Sequence, residues 1–155
     1  LYIARPIIAS PQVRLVVLAS ISLALGLVVY LVAREAGSTR FLPTALHIGL
    51  TDITPVQGFF GNLPSFFHVY AFILYSAAVV EPNRKNILLI CITWLCIETI
   101  LEILQSPSVL RNGMMRDVLG TGYYDPLDIL SLTLGTIAAY ISVQLITKRS
   151  QSTYK

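Results

Sequence analysis

The sequence predicts an all-α, polytopic membrane protein: a bundle of four transmembrane helices with short interfacial segments in its outer loops. Three observations lead there. The chain is 55% hydrophobic and only 12% charged, with a mean hydropathy of +0.72, whereas soluble domains carry about 25% charged residues. Its 155 residues are enough for one domain but too apolar to hide in one aqueous core. Four apolar runs have the length needed to cross about 30 Å of hydrocarbon, and the charges gather at their ends. The whole of residues 1–155 therefore reads as a single membrane domain.

The first span is residues 13–33, with no charge between Arg14 and Arg34. Its length exceeds the h-region of a removable signal, and no A-x-A site follows. The first residue is Leu1, so the chain reads as trimmed or processed. The second span, residues 64–80, opens on Pro64, which suits a first helical turn. It is the shortest and is expected to extend or tilt at one end. The third, residues 86–105, follows the turn "EPNRKN", and the fourth, residues 126–147, is closed by Lys148 and Arg149.

Charge sets the orientation. Arg5, Arg14, Arg84, Lys85, Lys148, Arg149 and Lys155 fall on one side, and Arg34, Arg40, Arg111 and Arg116 on the other. Seven against four places both termini in the cytoplasm. The two longer connections then face outward. Residues 34–63, with "FLPTALHIGL" and "GFFGNLP", resemble segments lying at the interface. Residues 106–125 contain a short amphipathic turn ending in a Gly-rich corner.

Against this apolar background the polar residues stand out. In "WLCIETILEILQ", Glu98, Glu102 and Gln105 are spaced i, i+4, i+7 and share one stripe of the third helix, which Cys91 and Trp94 extend inward. A carboxylate near the bilayer centre costs roughly 2.5–3.5 kcal/mol, so it needs a partner or a function. His68 lies at the outer end of the second helix, with Tyr75 on the same face, and Asp125 and Asp128 open the fourth. Span placement alone thus brings His68, Glu98, Glu102, Gln105, Asp125 and Asp128 into one outward-facing layer.

Each has a purely structural alternative. Asp125-Pro126 with Asp128 at the third helical position is also a good helix start. Glu102 can snorkel to the headgroups, and His68 can simply tie two helices together. Glu98 is too deep and short to snorkel easily. His47 has no constellation around it. Ser22 and Gly26 on the first helix, and Ser131, Gly135 and Ala139 on the fourth, are small residues four apart, the spacing that lets helices approach closely in lipid. Cys91 and Cys96 point in different directions on one helix, so no disulfide is expected. No H-E-x-x-H or comparable motif is present, so neither a metal nor a cofactor is expected. Scattered basic residues without a stripe argue against nucleic acid.

With these residues assembled, the chain resembles the VanZ-like family of bacterial membrane proteins. The resemblance rests on "HVYAF", on the acidic third helix ending "EILQSP", and on "GYYDPLDILSLTLGTIAAY", and covers about residues 60–145. One departure is that the Asp-Lys pair many members carry before the helical histidine reads Pro64-Ser65 here. The resemblance implies residence in the bacterial plasma membrane and action at its outer face, on envelope lipid or glycan.

Three functions fit. In the first, the outward polar pocket binds a lipid headgroup or a lipid-linked envelope glycan. In the alternative, the chain is a non-catalytic accessory subunit of a larger membrane complex, its polar layer a fixing network and its partners other membrane subunits besides the lipid bilayer. In the third, a glutamate and His68 act as acid and base on a lipid-linked substrate. No nucleophile and no phosphate-gripping arginine pair accompanies them, which weighs against an enzyme. Ion transport ranks last, because the acids cluster at one end without forming a relay.

Overall fold

A computed structural model describes residues 10–33, 61–81, 83–104 and 125–152. They form four helices: α1 (Pro11–Ala33), α2 (Leu63–Val79), α3 (Arg84–Leu104) and α4 (Pro126–Ser152). Among the described residues there is no β-structure. Three of the helices, α1, α3 and α4, are long and apolar enough to span a membrane. The fourth, α2, has 17 residues, about 25 Å at 1.5 Å per residue, slightly short of a bilayer core.

Local capping explains why the helices begin where they do. Ser10 caps α1, its Oγ accepting from Val13 N at 3.3 Å, with Pro11 in the first helical position. Hence α1 starts two residues before the expected 13. Similarly, Asn83 Oδ1 accepts from Asn86 N at 2.8 Å, so α3 begins at Arg84 rather than 86. These side chains satisfy backbone donors that helix geometry leaves open. At its other end α4 runs past the expected 147 to Ser152. Nothing in "TKRSQS" breaks a helix once the chain has left the apolar layer.

The short α2 is the centre of the bundle. It packs against all three other helices, most extensively against α1 and then α4. This accounts for its burial: Val69, Ala71, Ile73 and Leu74 are fully enclosed. The chain runs antiparallel between α1 and α2, since Ser20 meets Tyr75 and Ser22 meets Phe67. It runs parallel between α2 and α4, since Ser65 meets Asp128 and Tyr70 meets Ser142. One end of the bundle therefore carries the start of α1, the α2–α3 turn and the end of α4. The other carries the starts of α2 and α4 and the end of α3.

Small residues set the closest approaches. A Cβ on Gly135 would lie 2.6 Å from the Phe66 carbonyl oxygen and 2.7 Å from Val69 Cγ1, so α4 touches the α2 backbone there. A Cβ on Gly26 would lie 3.0 Å from Phe67 Cβ. Ser22 and Ala139 are buried beside these contacts, and Ser131 is half-buried. The outward faces are the reverse of a soluble protein's. Leu25, Val28, Leu89, Ile100, Leu134 and Ile141 are all about half exposed, as expected where lipid is the solvent. The chain is a multi-pass membrane protein. Both cysteines are free, Cys91 buried and Cys96 exposed.

Candidate functional site

Polar contacts concentrate at the end where α2 and α4 begin. Asp125 caps α4: its Oδ1 accepts from Leu127 N at 2.9 Å, and its carbonyl oxygen accepts from Asp128 N at 2.9 Å. Pro126 follows in the first position, where the missing N–H leaves no bond unmade. The Asp125 N–H in turn donates to Glu102 Oε1 at 3.4 Å, tying the end of α3 to the start of α4.

Asp128 lies one step further in and is only 2% exposed. Its Oδ1 accepts from Ser65 Oγ at 2.7 Å, which ties α4 to the first turn of α2. The carboxylate also sits in the first turn of α4, where the helix dipole favours negative charge. In the sequence Ser65 stands out only as a departure from the VanZ-like pattern, because its place opposite Asp128 depends on how α2 and α4 rotate against each other. The available signal was a hydroxyl in the first turn of an otherwise apolar helix, at the same depth as the acids.

Glu98 differs from these three. It lies six residues before the end of α3 at Leu104, about 9 Å along the axis. It is half-buried and makes no hydrogen bond or ion pair with any described residue. His68, expected in the same layer, has an exposed side chain at this end of α2. Its ring lies 6.0 Å from that of Phe72 and its Cδ2 borders Gly26 of α1. Gln105 and His47 lie outside the described residues. The structure thus joins Glu102 to Asp125 and Asp128 to Ser65, while leaving Glu98 unbonded between them and the bundle interior.

Deeper in the bundle, the stripe below Glu98 becomes a packing seam. Trp94 stacks on Phe72 with ring centroids 4.8 Å apart, and its Nε1 donates to Ser76 Oγ at 2.9 Å. Cys91 is buried one turn further along. Tyr75, below His68 on α2, shares a 2.8 Å hydrogen bond with Ser20 of α1. Thr133, Thr136 and Thr147 return their hydroxyls to the carbonyl four residues back, which satisfies them without water. Among the described residues no group of three or more His, Cys, Asp or Glu is placed to hold a metal ion.

No protein-family model, curated protein or solved structure matches the chain.

Proposed function

We propose that this chain is a VanZ-like protein of the bacterial plasma membrane, both termini cytoplasmic, whose outer polar end binds a lipid headgroup or lipid-linked envelope glycan. One observation carries the reading. Glu98 is half-buried on a membrane-spanning helix with no hydrogen bond to any described residue, an unfavourable position for a carboxylate that nothing external meets. Its neighbours Glu102, Asp125 and Asp128 are engaged in helix-to-helix or capping bonds, so they shape the site and leave Glu98 to receive a ligand. A headgroup ammonium or sugar hydroxyls would donate to the carboxylate. In further support, the motifs behind the family resemblance supply His68, Glu102, Asp125 and Asp128 to this one end.

The test is a thermal-shift titration of the protein in nanodiscs with phosphatidylethanolamine and, separately, with a sugar-bearing polyprenyl phosphate. One of these should raise the melting temperature of the wild type and have no effect on Glu98→Gln. If the wild type responds to neither, or Glu98→Gln responds equally, the reading fails.

The second reading, an accessory subunit of a larger complex, is favoured by a separate observation. The long face of α3 is the least covered of the bundle, with only Ile87 and Cys91 fully buried. A neighbouring subunit on that face could equally supply the partner of Glu98. Gentle extraction followed by sizing separates the two: a single-chain particle supports the headgroup reading, and stoichiometric co-migration with other membrane subunits supports the accessory one.

A further inference from the structure

At the opposite end of the bundle, α1 and α4 line a groove of about 460 Å³. We propose that this groove is a binding site for an anionic phospholipid, with an acyl chain along its wall and the phosphate on Arg14.

The wall is hydrocarbon. Val17, Ile21, Leu145 and Ile146 line it, and Arg14 stands at its rim. Ser142, the polar residue on the α4 side, has its hydroxyl engaged with Tyr70 OH at 2.9 Å, so the floor presents no unmet group that would hold water. From Arg14 to Ile21 is seven residues of α1, about 10 Å of depth. A chain entering beside Arg14 therefore runs along the membrane normal.

Charge decides the occupant. Arg14 is exposed and makes no ion pair with any described residue. Lys148 is exposed at the neighbouring end of α4, and Arg84 and Lys85 begin α3 at this same end. Glu81 is the only acid among the described residues there. The surroundings are thus basic, and the guanidinium is suited to bidentate contact with a phosphate. A second copy of the chain would bring like charge to the same rim, which disfavours it as occupant.

Native mass spectrometry of protein released from nanodiscs of equimolar phosphatidylglycerol and phosphatidylcholine tests the proposal. The wild type should retain one phosphatidylglycerol in preference to phosphatidylcholine. Arg14→Gln should lower that occupancy about fivefold, the factor corresponding to ~1 kcal/mol per basic side chain near anionic headgroups, and Arg14→Lys should keep most of it. Ile21→Trp should fill the groove and displace the lipid. Both positions are on the outer surface of α1, so folding is preserved, and an unchanged melting temperature verifies it. The double variant Arg84→Gln/Lys85→Gln removes more charge from the same end but outside the groove, and should retain the lipid. Equal retention by Arg14→Gln, equal loss in the double variant, or release as a dimer would each overturn the assignment.

Discussion

At Asp128 the cost of burying a carboxylate is offset locally. Ser65 donates to it at 2.7 Å, and the first turn of α4 presents the positive end of its dipole. Removing the acceptor strands the Ser65 hydroxyl and removes the dipole partner, so Asp128→Ala should destabilise by about 2–3 kcal/mol and Ser65→Ala by about 1 kcal/mol. The double variant should cost less than their sum, because the two residues share one bond. Unfolding midpoints for the three variants measure this, and full additivity would mean that the bond contributes nothing. Asp128→Asn retains an acceptor for Ser65 and should be the mildest change at the position.

Among the elements, the α2–α4 contact is the one most dependent on the absence of a side chain. With its Cβ 2.6 Å from the Phe66 carbonyl oxygen, even Gly135→Ala pushes against backbone that cannot rotate away. A loss of about 1–3 kcal/mol is expected. Gly26→Ala meets Phe67 Cβ at 3.0 Å, a looser contact that α1 and α2 can relieve by separating a few tenths of an ångström, and should cost less. Thermal melts in detergent should rank the two in that order. A more damaging Gly26→Ala would show that α1, rather than α4, sets the packing of α2. The existence of the elements was legible in the sequence because lipid demands long apolar runs and rewards nothing else. Their starts were not, because Ser10 and Asn83 act through single side-chain hydrogen bonds that lie outside the hydrophobic pattern. The short α2 was visible as a short run. Its central place was not, since contact with three neighbours leaves no simple periodic signature in so short and largely apolar a helix.

For the molecule as a whole, the up-and-down path puts the α2–α3 turn and the start of α4 at opposite ends. Single cysteines at Asn83 and Pro126, both exposed, in a chain whose Cys91 and Cys96 are replaced by Ala, should therefore label from opposite sides of a sealed membrane. In the proposed orientation, which rests on the charge bias, Asn83 labels from inside and Pro126 from outside. Labelling of both from one side would break the four-span path, and exchanged sides would reverse the orientation alone. The candidate site was only partly legible. Depth along each span follows from residue count, so the gathering of acids at one end could be read in advance. Rotation about each helix axis depends on packing. For that reason the exposure of His68, the turn of Tyr75 toward Ser20 and the pairing of Ser65 with Asp128 emerged only in three dimensions.

The headgroup reading rests on Glu98 being held for something outside the described fold. The most direct measurement is the melting temperature of purified Glu98→Leu, taken alongside ligand response in the same preparation. With no hydrogen bond to a described residue to lose and a half-buried carboxylate removed, the variant should melt at or slightly above the wild-type temperature while losing the response entirely. A melting temperature several degrees below wild type would show that Glu98 supports the fold itself, and would contradict the account.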